Sequence, residues 1–422
     1  MLKTTCKQIY FDYIQPHKVL LLILLSAFLL RIWGIWNADS TDEYNEVCEA
    51  LRVCSGHLNL ERFSKRFFLY ILSLEYGVYY LLGWLVNIFQ SPNDFAIKIV
   101  RDLTPLFMLG RATSAVFGTA SIFMTYMIGK VLVSRQVGLL AALFLCLNVV
   151  NIQLSHYARV DATLCLVVLI SFYFVVKLYN SSSQSLSKYY ILAGFFSGIA
   201  FQTKLPAVIL IIPFLLAHLS QQQEKHLARR ILCKDLGFYC IFFMLGLIVG
   251  NPAILFAPHK FIISLLGKSK VYTTPLNETQ SEYIGFIAYL IYFYNELGLL
   301  LALLSTYSLF RALLTREKDD ILVLSFIIPF YILMGLSWYM VSESYMIPLM
   351  PFLYLLTSKY LIEVIEKIGI VQKFPKKIVM LLVGIFFIHQ SINVIKFEIS
   401  LCGKNTRVLA KEWVEQNIPF GS

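Results

Sequence analysis

Long apolar runs, separated by short polar connections, set the rhythm of this chain. The first covers residues 19–36. A run of about 20 apolar residues, helical at 1.5 Å per residue, is long enough to cross the hydrocarbon of a bilayer. Further runs lie near 104–129, 137–153, 161–178, 189–206, 207–220, 235–255, 284–310, 321–341, 345–364 and 378–395. Together they predict an all-α polytopic membrane protein of about 11 transmembrane helices. The 207–220 run is short and reads as tilted or partly re-entrant. The two-residue alternation of a membrane barrel is missing. The first run has no small-residue cleavage site after it and reads as an anchor.

Residues 67–89 are apolar enough to span, yet Glu75 lies in their middle and Tyr and Trp are frequent. That mixture suits an interfacial or re-entrant helix. Parity depends on it. If this segment crosses, Asp42 and Asp161 fall on opposite faces. If it lies in the interface, they share one face, and the basic clusters fall together on the other. Those clusters include Lys130 with Arg135, the basic residues of 221–234, Arg311 with Arg316, and Lys373 with Lys376 and Lys377. The positive-inside rule then makes those loops cytoplasmic and turns 37–103, 154–160, 256–283 and 342–344 outward. The interfacial reading is therefore adopted, with interfacial helices in the first outer loop, 37–103.

Composition agrees with this class. The chain is 58% hydrophobic and 14% charged, with a mean hydropathy of +0.70. A soluble fold cannot hide that much apolar surface. The net charge of +11 is scattered between spans. It reads as topology signals and phosphate partners, not as a nucleic-acid surface. The eight cysteines show no metal-ligand spacing. Cys48 and Cys54 are a pair that an oxidising compartment could bridge. No Gly-rich dinucleotide motif or phosphate-binding P-loop occurs, which argues against direct use of nucleotide sugars or ATP.

Polar chemistry collects on the predicted outer face. Asp42 and Glu43 follow the first span, in Thr41-Asp42-Glu43-Tyr44. Arg62, Lys65 and Arg66 come later in the same loop. The second outer loop reads His156-Tyr157-Ala158-Arg159-Val160-Asp161, and Lys204 ends an outward-running span. Tyr345 sits in a tight late turn beside Glu343. Charges at a bilayer surface are costly to desolvate unless they bind or catalyse something. Each also has a plainer reading: Arg159 as an ion-pair partner of Asp161, Lys204 as a snorkelling cation, His156 as an interfacial histidine. Two acids and several cations on one face fit an anionic, lipid-linked substrate better. A transporter or flippase of lipid-linked sugars is the alternative, although no inverted repeat is evident.

In the order and spacing of these motifs, the chain resembles the GT-C superfamily of polyprenyl-phosphate-sugar-dependent glycosyltransferases. It is most similar to the branch holding dolichyl-phosphate-mannose protein mannosyltransferases and the lipid A aminoarabinose transferase. TDEYNEVCEALRVCSGHLN matches the acidic pair after the first span. GRATSAVFGTASIFMTYMIGKVLVSRQVGLLAALFLCLNVVNIQLSHYARVDATL matches the next spans and second acidic loop. GFFSGIAFQTKLPAVILIIP, GNPAILFAPHKF and SYMIPLMPFLYLL match later elements. Members often carry a base just before the late Tyr-x-x-Pro; here Glu343-Ser344 stands there. The likeness covers residues 19 to about 395. It implies a GT-C-like domain over 1–396 and a C-terminal outer stub, 397–422, either lacking the family's outer domain or truncated.

The resemblance implies transfer of a sugar from a polyprenyl-phosphate donor to a protein, lipid or glycan acceptor, with inversion. Catalytic residues are then expected at Asp42, as the base, at Glu43, orienting it or binding sugar, and at Asp161, holding the acceptor, a metal or the first loop. Donor phosphate and sugar are expected at Lys204, Arg159, His156, Tyr157, Arg62, Lys65, Arg66 and Tyr345. A divalent Mg or Mn ion between Asp42 and Asp161 is an open expectation. A prokaryotic cytoplasmic membrane with an outward-facing site is the favoured location.

Overall fold

A computed structural model describes residues 15–38, 40–57, 65–181, 186–221, 233–273, 285–336, 342–367, 376–403 and 406–418. Among them the regular elements are helices, with no strand. α1 (Gln15–Ile32) is followed by α2 (Thr41–Cys54), α3 (Arg66–Leu85) and α4 (Pro92–Arg101). α5 (Thr104–Leu132), α6 (Arg135–Cys146), α7 (Val149–Ser155), α8 (Val160–Tyr179) and α9 (Leu186–Thr203) build the central bundle. α10 (Ile211–Gln221), α11 (Lys234–Gly250) and α12 (Pro258–Thr273) come next. α13 (Gly285–Thr315), α14 (Lys318–Gly335), α15 (Met350–Lys367), α16 (Lys376–Cys402) and α17 (Thr406–Asn417) complete the order.

Five described helices are long and apolar enough to cross a membrane, or six if α6 and α7 count as one bent span. These described helices do not establish the expected count of eleven, and local chemistry breaks several of the apolar runs. The 137–153 run is two helices meeting at 64°. Asn148 stands at the break, and its side-chain oxygen accepts the Asn151 N–H at 2.8 Å, so a new helix starts there. The 189–206 run stops at Thr203, and a 3-10 turn, Leu205–Leu210, precedes α10. Pro206 lacks the N–H that a continuing helix needs. Ser91, which accepts the Asp94 N–H at 3.1 Å, and Pro92 start α4 in the same way. α16 runs unbroken past residue 396 to Cys402, and the Asn37 amide donates to the Leu401 carbonyl at 2.7 Å.

Packing follows membrane logic. Leu22, Leu25, Leu29, Leu300, Leu303 and Phe310 are exposed on helix faces, as lipid-facing side chains would be. Between helices, small residues permit close approach. α9 and α11 pack along each other most extensively. A Cβ on Gly198 would lie 2.2 Å from the Phe243 carbonyl oxygen, and one on Gly246 would lie 2.1 Å from that of Phe195.

α13 breaks at Gly298, where φ is 68° and ψ 166°. Only glycine adopts that region readily, and a Cβ there would meet the His389 ring at 2.4 Å. The break frees the Asn295 carbonyl, which lies 2.9 Å from His389 Nε2. Gly298→Ala is expected to cost about 1–3 kcal/mol from backbone strain alone, with the ring overlap adding to it. Thermal unfolding of the detergent-solubilised protein checks this; an unshifted melting temperature would show that α13 straightens freely.

Candidate functional site

α2 begins with Thr41-Asp42-Glu43, acids in a first helical turn where the helix dipole favours them. The two neighbours part company. Glu43 turns inward, its side chain 1% exposed. Arg111 of α5 grips it with both prongs, Nε–Oε1 at 2.7 Å and Nη2–Oε2 at 2.8 Å. The Ala158 N–H donates to the same Oε1 at 2.7 Å, and Arg111 Nη1 donates to the Ile35 carbonyl at 2.7 Å. Glu43 thus ties the exit of the first helix, α2, α5 and the loop before α8 into one joint. Such bidentate, fully partnered geometry is what makes a buried ion pair tolerable.

Asp42 faces outward, 55% exposed. It lies 3.2 Å from Arg159 Nη2. Arg159, extended at φ −129°, immediately precedes α8, and its Nε lies 3.3 Å from Asp161 Oδ2. Asp161, in the first turn of α8, is fully buried. Its other oxygen accepts from Lys204 Nζ at 2.9 Å. Lys204 in turn stands 3.9 Å from the centre of the Tyr345 ring, a cation–π contact. One chain of charges therefore runs from water inward: Asp42, Arg159, Asp161, Lys204, Tyr345.

This chain also fixes the path of the polypeptide. Arg159 bridges Asp42 and Asp161, so both acids lie at one end of the bundle. An even number of crossings must separate them, and α5 with the bent α6–α7 pair supplies two. α3 is long and apolar enough to span, yet its first half lies against elements at this end. Its start lies against α2, with Arg66 3.9 Å from Glu49, and its middle against the start of α5, with the Tyr76 hydroxyl 3.4 Å from the Leu106 carbonyl.

The other expected positions divide. Lys65 lies 3.2 Å from Glu46, so Lys65 and Arg66 both serve acids on later turns of α2. Burial pushes the Glu46 carboxyl above its ordinary range, and the Lys65 ammonium beside it pulls it back. His156 points away from the charge chain. It is buried, its ring nitrogens 2.9 Å from the Ile152 carbonyl and 2.8 Å from that of Trp33, and burial holds its basicity below the usual value. Tyr157 packs at the edge of the main apolar core. Arg62 lies outside the described residues. Cys48 and Cys54 are both free thiols.

Two participants escaped the sequence reading. Arg111 was visible as a lone arginine within an apolar helix, a residue that must find a partner. Glu46 lies one turn beyond Asp42 and shares its face.

The charge chain does not offer a resident divalent ion its usual ligands. Each Asp161 oxygen already faces a cation, and Asp42 faces Arg159. Two carboxylates are already balanced by two cations, so an added dication would find no net negative charge to neutralise. Among the described residues, no cluster of three or more His, Cys, Asp or Glu could hold a metal.

Fold and site together define a helical, polytopic membrane protein. Residues 93–255 match the family model for dolichyl-phosphate-mannose-protein mannosyltransferase. Among solved structures, ArnT from Cupriavidus metallidurans bound to undecaprenyl phosphate is similar, with a TM-score of 0.55 and 14% identity over 83% of this chain. So is the apo oligosaccharyltransferase of Archaeoglobus fulgidus, with a TM-score of 0.61 and 12% identity over 98% of this chain. The chain spans 60% of the first and 59% of the second. AglB from Archaeoglobus fulgidus, in complex with an inhibitory peptide and a dolichol-phosphate, scores 0.58 at 14% identity, covering 98% of this chain and 59% of that one. No curated protein matches the chain in sequence.

Proposed function

We propose that this protein is an integral-membrane glycosyltransferase that moves a sugar from a polyprenyl phosphate to an acceptor hydroxyl or amine, with inversion, on the outer face of a prokaryotic cytoplasmic membrane. The observation that carries this reading is the charge chain from exposed Asp42 to buried Lys204, set in a bundle with an apolar groove. The groove, about 480 Å3, runs between α13 and α14 and touches Leu349, just before α15, and Leu353 within it. Its walls are aliphatic and aromatic, including Leu303, Leu309, Ile328 and Tyr331, and suit an isoprenoid tail. ArnT binds undecaprenyl phosphate and AglB a dolichol-phosphate within the same fold.

Each residue has a role that its surroundings favour. As the sugar–phosphate bond breaks, negative charge grows on the phosphate, and Arg159 and Lys204 are fixed cations that stabilise it. Asp42 reaches water and is the base that takes the acceptor proton during attack on the anomeric carbon. Asp161 holds both cations in place from behind. Glu43, fully engaged by Arg111 and Ala158, positions Asp42 rather than touching substrate.

Incubating the purified protein with polyprenyl-phosphate sugars and following the lipid by mass spectrometry tests the reading. Release of polyprenyl phosphate, matched by a glycosylated acceptor, is expected. Movement of intact lipid-linked sugar between leaflets of vesicles, without release, would instead make it a flippase. Turnover is also expected to survive excess EDTA within about twofold, since guanidinium and ammonium groups stand where a metal would act. Loss restored by Mg or Mn would overturn that assignment.

A further inference from the structure

Beside the charge chain lies a second, chemically different cavity of about 190 Å3. Its polar lining consists of the amides of Asn148, Gln153, Asn295 and Asn393 and the carboxylates of Glu296 and Glu343. Tyr292 and Phe293 add aromatic surface. Among the described residues that line it, none is Lys, Arg or His.

The inner wall is pre-organised. Glu296 accepts from Asn148 Nδ2 at 2.5 Å and from the Val150 N–H at 3.3 Å. Asn148 is further held by the Tyr354 hydroxyl at 3.1 Å, and Gln390 donates to that hydroxyl at 3.1 Å. His389 Nε2 lies 2.9 Å from the Asn295 backbone carbonyl and 2.9 Å from Asn393 Nδ2, and each ring tautomer satisfies one of the two. The Gly298 break makes the first of these contacts possible. Glu343 stands exposed at the mouth.

Charge separates two kinds of ligand. A phosphate would be repelled by Glu296 and Glu343 and is better placed on Arg159 and Lys204. Sugar hydroxyls donate to carboxylates and exchange paired hydrogen bonds with amides, while an aromatic wall accepts the apolar face of the ring. Position connects the two. Glu343 and Met346 line the cavity and flank Tyr345, whose ring lies under Lys204. Phe293 lines both the cavity and the apolar groove. The cavity thus meets the apolar groove at Phe293 and, at Glu343 and Met346, the turn that carries Tyr345; a donor whose phosphate joins its tail to its sugar would hold the phosphate at that turn, beside Lys204.

We propose that this cavity seats the sugar ring of the lipid-linked donor, with Glu296 and Glu343 as hydrogen-bond acceptors for its hydroxyls. The proposal rests on the glycosyltransfer argued above. It makes Glu296 and Glu343 specificity-determining residues at a position separate from the acids of the charge chain.

The test compares dissociation constants for the full chain in nanodiscs, by competition against a fluorescent polyprenyl phosphate. Dolichyl phosphate serves as the sugar-free probe. Dolichyl phosphates carrying mannose, glucose or N-acetylglucosamine are the sugar-bearing probes. In the unmodified protein at least one sugar is expected to tighten binding about tenfold, equivalent to roughly 1.4 kcal/mol. Glu296→Gln and Glu343→Gln are each expected to remove most of that gain and leave the affinity for dolichyl phosphate unchanged. Gln keeps the Glu296 contact to Asn148, and Glu343 is at the rim, so at least one variant folds. The proposal fails if no sugar tightens binding, if the gain survives both substitutions, or if both weaken dolichyl phosphate equally. A sugar-dependent gain without any release of polyprenyl phosphate would leave the cavity standing and overturn the glycosyltransfer reading.

Discussion

Asp42→Asn is expected to lower sugar transfer by about 10²–10⁴-fold, the contribution of a positioned general base. The fold should survive. Asp42 is more than half exposed and meets one cation, Arg159, at 3.2 Å. An exposed pair of that kind contributes on the order of 0–1 kcal/mol. Asn keeps the shape and cannot take a proton. Melting temperature and affinity for polyprenyl phosphate should therefore stay near those of the unmodified protein while turnover collapses. Near-normal turnover would remove Asp42 from the base role, and Glu46, one turn further along α2, would be the next acid to test.

Asp161→Asn is expected to damage both stability and activity. Asp161 is fully buried, with Lys204 at 2.9 Å on one oxygen and Arg159 at 3.3 Å from the other. Neutralising it strands the buried Lys204 ammonium beside Arg159, which keeps only its contact to Asp42. Breaking a buried ion pair from one side typically costs about 3–5 kcal/mol, because the stranded charge has no compensation. A second substitution, Lys204→Met, removes one stranded charge and keeps a flexible side chain against Tyr345. The double variant should melt above the Asp161→Asn single variant, a coupling that only interacting residues show. Its turnover should stay low, because a phosphate-stabilising cation is gone. Additive losses in the double variant would mean that Lys204 and Asp161 do not depend on each other.

The two acids illustrate how far the pattern of residues reaches. Asp42 and Glu43 are adjacent and chemically alike, and in sequence both read as site residues. The helix start that brings them together also points them apart, one to water and one to Arg111. Arg159 is similar. As a partner of Asp161 it was legible locally, two residues away. Its second contact, to Asp42, joins segments more than a hundred residues apart and brings both acids to one end of the bundle. For the 67–89 segment, hydropathy pulled towards a span and the basic flanks towards the interface. The bridge, together with the contacts of α3 to α2 and the start of α5, supports the interfacial reading.

From the residues alone came the membrane class, the helical architecture and the order of apolar runs. These depend on properties summed over many residues, chiefly the cost of placing polar groups in hydrocarbon, and such sums do not need partners to be known. The tertiary structure alone decided where the runs break, that His156 faces backbone carbonyls, that Glu43 is a joint, and that Glu296 shares a cavity with Glu343. Those outcomes depend on distances between parts of the chain remote in sequence, where a shift of a few ångströms exchanges an ion pair for an open carboxylate.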